Sequence, residues 1–186
     1  CHTFLPGAEE WSSSSGVVRL RASSHLVTGR VTSVEKVADL QLLVHSQGET
    51  KTVVLGSPEE QDGLFYYRFG HQAAPHEELA IEARAARFLL SPPSLHLLVA
   101  DDCQLDAVVF TATKGLFVSG QVTPALAGVR VVLQAGALPK PVEVETDAGG
   151  KYSLGPFPRD LKYSVTAERL GYVLAPVAGK AGSFTA

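Results

Sequence analysis

Asparagine is absent from all 186 residues, and that gap removes several possibilities at once. No N-glycosylation sequon exists, no Asn-Gly hairpin turn can form, and a Lys–Asn isopeptide crosslink of the kind that stiffens bacterial surface sandwiches is excluded. Turns must use Asp62-Gly63, Gly149-Gly150 and the eleven prolines instead. Two cysteines are too few for a disulfide framework, so the fold must rest on its apolar core. The longest apolar stretch, near Phe88–Ala100, is broken by Pro92, Pro93 and His96, whereas a bilayer span needs roughly 20 apolar residues. Basic charge is not in excess: 16 Lys and Arg against 19 Asp and Glu leave a net −3, which argues against nucleic acid as the main partner. The sequence has no methionine and no signal-peptide pattern behind Cys1, so a fragment or a processed piece of a longer protein is expected.

What is present is ordinary globular composition, 45% hydrophobic and 19% charged, long enough for one or two domains with their own cores. Helical periodicity is hard to find, whereas short alternating runs recur. The C-terminal part predicts strands near Phe117–Val122, Val129–Leu133, Val142–Thr146, Tyr152–Leu154, Tyr163–Ala167 and Tyr172–Leu174. Their alternation places Val131, Tyr152, Tyr163, Val165 and Tyr172 in the core. Asp147 followed by Gly149 and Gly150 reads as a structural turn, an Asp that caps backbone amides and glycines free to take positive φ. The fold class expected is all-β, in small antiparallel sandwiches.

The chain also repeats itself. "VVRLRASSHLVTGRV" (17–31) matches "VVFTATKGLFVSGQV" (108–122) without a gap, and "VADLQLLV" (37–44) resembles "LAGVRVVL" (126–133). "DGLFYY" (62–67) sits where "GGKYSL" (149–154) does, and "LAIEARAARFLLSP" (79–92) tracks "YSVTAERLGYVLAP" (163–176). Four matches in order imply two copies of one unit. The register predicts 1–22 as the tail of an upstream repeat, 23–113 as a first sandwich and 114–186 as a second. That second copy is expected to reach its closing strand at Ser183–Ala186 and to be cut there, leaving an edge prone to self-association. "ARAARFLL" also fits a short helix by propensity, but its match to "ERLGYVL" favours a strand.

Chemical motifs are sparse. His71 and His76, with Glu77 and Glu78, fit no zincin spacing, and no Cys/His quartet exists. Asp101, Asp102 and Asp106 lack the Gly-spaced loop of a calcium site. Ser12–Ser15 has no nucleophile-elbow context, and Trp11, Tyr66 and Tyr67 are the candidates for a sugar-stacking platform. Neither catalytic residues, a metal site nor a cofactor is expected. Cys1 and Cys103 each precede matching strands; set a domain length apart they could not approach within the roughly 7 Å that a disulfide needs. They are therefore expected to be unpaired, or paired outside this sequence.

V-x-G-x-V (118–122), G-V-x-V-x-L (128–133), T-D-x-x-G-x-Y (146–152) and G-Y (171–172) resemble the carboxypeptidase-regulatory-like, transthyretin-like sandwich family. Gly155-Pro156, Asp160-Leu161 and the Gly-x-x-Gly-x-Phe-x-Ala ending are similar, more narrowly, to the nodal modulator family of the endoplasmic reticulum. That resemblance implies a non-enzymatic lumenal scaffold segment of a type I membrane protein, attached to the membrane only through the parent's anchor. It further implies a nicalin-like partner, a multi-spanning membrane partner and the translocon, with roles in multipass membrane-protein insertion and in modulation of nodal signalling. Small-molecule substrate and nucleic acid have no place in it. The alternative is a carbohydrate-binding sandwich module.

Overall fold

The computed structural model describes residues 2–4, 22–136, 138, 140–159, 161–175 and 183–185. Among them every helix or strand is a strand, and the chain folds into two compact units, Cys1–Thr113 and Lys114–Ala186. Of the expected upstream tail, only His2–Phe4 and Ala22 fall among the described residues.

The first unit contains β1 (His2–Phe4), β2 (Ala22–Ser33), β3 (Gln41–Ser46), β4 (Glu49–Val53), β5 (Glu59–Gln61), β6 (Leu64–Ala73), β7 (Glu78–Arg84), β8 (Phe88–Ser91), β9 (Ser94–Leu98) and β10 (Gln104–Lys114). One sheet runs β5-β6-β2-β10-β8, with β1 also on β2; the other runs β4-β3-β7-β9. Alternation drives both. In β3, Leu42 and Val44 are buried while Gln41 is exposed; in β2, Val27 and Val31 are fully buried. These residues join Leu79, Ile81, Val108 and Phe110 in one core enclosed by the two sheets, each contributing about 1.5–3 kcal/mol by leaving water.

The second unit contains β11 (Leu116–Gln121), β12 (Arg130–Ala135), β13 (Val142–Glu145), β14 (Lys151–Phe157), β15 (Lys162–Glu168) and β16 (Ser183–Thr185). Its sheets run β11-β14 and β13-β12-β15-β16. Val131, Leu133, Leu154, Phe157 and Tyr163 form its core.

Cross-strand registers recur between the units. Leu42 lies opposite Ala83 and Val44 opposite Ile81; at the matching positions Val131 lies opposite Ala167 and Leu133 opposite Val165. Gly29 lies opposite Phe69, and Gly120 opposite Tyr152. In both pairs the aromatic ring covers the glycine: a Cβ on Gly29 would sit 2.6 Å from the Phe69 ring, and one on Gly120 2.6 Å from that of Tyr152.

The registers also correct several sequence expectations. Tyr152 corresponds to Phe69, not to Phe65 as the match of "GGKYSL" with "DGLFYY" implied. The slip is four residues, and an even slip leaves every side chain on its own face, so alternation cannot detect it. β16 is not the closing strand. Lys162 opposite Thr185 and Tyr163 opposite Phe184 repeat Glu78 opposite Leu98 and Leu79 opposite Leu97, so β16 is the counterpart of β9. Tyr172–Leu174 is not a strand, and Tyr172 is not a core residue: it is 55% exposed and Val173 100%. A turn precedes this segment, with the Tyr172 amide on the Arg169 carbonyl at 3.1 Å as the Phe88 amide is on the Ala85 carbonyl before β8, and the Arg169 guanidinium lies 5.4 Å from the Tyr172 ring centroid. The "ARAARFLL" stretch is strand, turn and strand, β7 ending at Arg84 and β8 starting at Phe88.

Cys103 is disulfide-bonded, which corrects the expectation of an unpaired thiol. The assumed separation was wrong because β1 folds back onto the same strand that β10 joins. His2 lies opposite His25 and Gln104 opposite Val27, so the neighbours of the two cysteines meet along one edge of β2. Cys1 itself lies outside the described residues.

Candidate interaction surface

The turn at 147–150 fixes the loops of the second unit. The Asp147 carboxylate accepts from the Gly149 and Lys151 amides, each at 2.9 Å, and its carbonyl accepts from the Gly150 amide at 2.9 Å. Gly150 has φ 73°, and a Cβ there would lie 2.7 Å from the Val122 carbonyl, so both its handedness and its surroundings require glycine. Of the residues expected in the core, Val131 and Tyr163 are buried, while Tyr152 and Val165 are half-buried against the same cluster. The Tyr163 hydroxyl donates to the Pro158 carbonyl at 2.5 Å, and burial raises its pKa.

One buried hydroxyl in each unit ties down the loop after the first long strand. The Tyr67 hydroxyl accepts from the Val37 amide at 2.6 Å and donates to the Val37 carbonyl at 3.1 Å. In the second unit, Thr146 Oγ1 accepts from the Val129 amide at 3.0 Å and donates to the Leu126 carbonyl at 2.6 Å. Sequence reasoning missed both, because different residue types at unmatched positions do the same job. Tyr67 is thereby removed from any sugar-stacking platform: its ring is buried and its hydroxyl engaged. Trp11 lies outside the described residues, as do Ser12–Ser15.

One cluster of titratable groups, Glu77, His71 and Lys51, lies at one end of β3, β6 and β7. The Ser46 hydroxyl and the Ala74 amide, the latter at 2.7 Å, both donate to Glu77. Burial alone would raise the Glu77 pKa, but these two hydrogen bonds, helped by His71 and Lys51, hold it below the usual carboxylate range. Burial pushes His71 below the ordinary imidazole value; Glu77 opposes the shift and Lys51 adds to it. Ser46 donates to a carboxylate, and that carboxylate is held by an amide on its other oxygen. The two contacts tie the end of β3 to the segment at 74–77. His76 pairs with Asp101 at 3.2 Å and Arg30 with Asp106 at 3.6 Å, so these two aspartates have separate partners. Among the described residues no group of three His, Cys, Asp or Glu side chains is set to hold a metal ion.

An open groove of about 530 Å³ lies beside β3, β7 and β9, lined among others by His45, Gln47, Glu78, Ala80, His96 and Leu98. His45, Ala80 and His96 occupy one rung across the three strands. Ala80 is small enough to leave space between two imidazoles, and the exposed Leu98 gives the rim an apolar element. His45 is held on one side by Thr50 at 2.8 Å and approaches Glu82 at 3.8 Å. Such a mixed, shallow surface suits contact with another polypeptide better than enclosure of a small molecule.

Residues 114–186 match the model of the family described as BOS complex subunit NOMO1-like, β-sandwich domain. The chain is 36% identical over 139 residues to the human BOS complex subunit NOMO3, which covers 74% of this chain and 11% of that protein. It is 35% identical over 130 residues to the mouse BOS complex subunit NOMO1, covering 69% of this chain and 11% of that protein. It is 31% identical over 108 residues to nicotinic receptor-associated protein 4 of Caenorhabditis elegans, covering 56% and 9%. Among solved structures, the Bacillus anthracis TIE protein is similar with a TM-score of 0.30 and 13% identity, over 84% of this chain and 31% of that one. The chain thus spans about a tenth of the length of the curated relatives it matches.

Proposed function

Through its second unit the chain belongs to the family of NOMO1-like β-sandwich domains of BOS complex subunits, and from that premise we propose that it is a non-enzymatic structural segment of such a subunit. Each unit is a compact sandwich with its own core that offers surface for other subunits to meet. The observation that carries this reading is the recurrence of one set of cross-strand registers in both units. Both copies direct their side chains to packing and to loop ties, and the titratable cluster at Glu77 serves a loop. In the finer form of the proposal the segment lies in the lumen of the endoplasmic reticulum. It there contributes to a complex with a nicalin-like protein and a multi-spanning partner, which acts with the translocon in multipass insertion and modulates nodal signalling.

Cross-linking of the intact protein in native membranes tests the proposal. Lys36, Lys51, Lys140, Lys151 and Lys162 are exposed reporters on the two units. Cross-links from them to membrane-complex subunits are expected; cross-links confined to other parts of the same polypeptide would overturn the proposal.

A further inference from the structure

In the first unit, β2 is hydrogen-bonded on both edges. β6 takes one, and β10 takes the other in parallel, with Val108 opposite Gly29 and Phe110 opposite Val31. β10 in turn carries β8. The apolar face of β10 is fully committed: Val108, Phe110 and Ala112 are 1%, 0% and 3% exposed.

In the second unit β11 stands in the place of β2, and β14 in the place of β6. Among the described residues β11 pairs with β14 alone. The Val122 amide donates to the Gly150 carbonyl at 2.8 Å and Gly120 lies opposite Tyr152, so Val118, Gly120 and Val122 point their backbone groups at β14. Ser119 and Gln121 therefore present theirs to the other edge. β16 does not serve that edge, because it pairs with β15 as β9 pairs with β7. A second difference agrees with this one. Phe88 of β8 is buried at 9%, whereas its counterpart Tyr172 and the adjoining Val173 are exposed and belong to no strand; in the first unit β10 lies beside β8. Gly29 differs from Gly120 in the same sense, since a Cβ on Gly29 would come within 2.2 Å of the Val108 carbonyl, while Gly120 would meet the Tyr152 side chain.

We propose that the Ser119–Gln121 edge of β11 is an acceptor for one extended segment, added parallel to β11 and apolar at alternate positions in the manner of Val108, Phe110 and Ala112. The occupant is a closing strand of the same repeat type, carried by the polypeptide to which the second unit belongs; the relatives have abundant sequence for it, since the match takes up 11% of their length. Its docking gives the segment from Tyr172 a neighbour, so that it pairs as a strand like β8 and Val173 is covered. Strand addition of this kind draws its affinity from main-chain hydrogen bonds and its specificity from the pockets for alternate side chains.

The chain 1–186 is incubated with a synthetic peptide of residues 106–114, and hydrogen exchange is compared with that in the presence of a scrambled peptide. The Ser119 and Gln121 amides are expected to slow roughly tenfold or more, and the melting transition of the second unit to rise, with the first unit unchanged because its edge is filled. The same segment appended after Ala186 through a flexible linker removes any dependence on peptide affinity. Absence of protection at Ser119 and Gln121 in both formats would overturn the proposal. Protection of these amides that grows with protein concentration alone would overturn the choice of occupant in favour of a second copy.

Discussion

Removing a single oxygen atom from Tyr67 separates loop anchoring from packing. In Tyr67→Phe the ring keeps its place in the core, but the Val37 amide loses the acceptor 2.6 Å away and the Val37 carbonyl loses a donor. The carbonyl has a second lone pair to offer elsewhere; the buried amide has a single proton and no substitute. An amide left unsatisfied costs about 1–3 kcal/mol. A domain of 60–100 residues shifts by about 4–8 °C per kcal/mol, and larger ones by less, so the first unit should melt about 4–12 °C lower. Thr146→Val is the counterpart in the second unit, where the Val129 amide and the Leu126 carbonyl lose their shared hydroxyl. Differential scanning calorimetry on the full chain reads both. Each substitution is expected to lower one transition and to leave the other in place. Shifts below about 2 °C, or a pair of transitions that move together under either change, would refute the reasoning that each unit has its own core and its own tied loop.

Other substitutions test the packing and the charges. Tyr163 is fully buried and packs 5.6 Å, centroid to centroid, from Phe157, so Tyr163→Ala should cost about 3–5 kcal/mol in chemical denaturation, and half-buried Tyr152→Ala clearly less. Gly29→Ala should destabilise the first unit more than Gly120→Ala does the second, because backbone blocks the first site and a movable ring the second; equal melting shifts would count against the strand assignments. All six histidines lie in the first unit, and burial lowers the His71 pKa. The unfolded chain therefore binds the extra proton first, and stability should fall as pH drops through the ordinary histidine value of 6.5. The Glu77 pKa is also lowered, so a further loss should follow below its ordinary value of 4.5. Acid titration of the two melting transitions should show the first loss in the first unit alone.

Much of the fold was legible because burial alternates. Val131 and Leu133 against Arg130, or Leu42 and Val44 against Gln41, announce a strand and its inward face without any neighbour being known. The repeat was legible for the same reason, since VADLQLLV and LAGVRVVL carry the same inward pattern. What alternation could not supply was register between strands. The equation of Phe65 with Tyr152 preserved every face and still missed by four residues. Tyr172 looked inward by its alternating pattern, but a strand needs a neighbour, and the described residues of the second unit hold none in the position of β10. The hydroxyl ties were invisible because Tyr67 and Thr146 share neither residue type nor matched position. The pairing of β1 with β2, on the edge that β10 also takes, is a long-range contact that three residues of sequence do not reveal.

If the two sandwiches hold partner surfaces and do no chemistry, replacing them should cost the protein a partner. The deciding measurement is recovery of membrane-complex subunits with the full-length protein after residues 23–186 are exchanged for two unrelated, stably folded sandwiches of similar length. Reduced recovery of at least one subunit, with the exchanged protein present at normal levels, is the expected result. Full recovery of every subunit would show that these surfaces hold nothing, and would contradict the scaffold role.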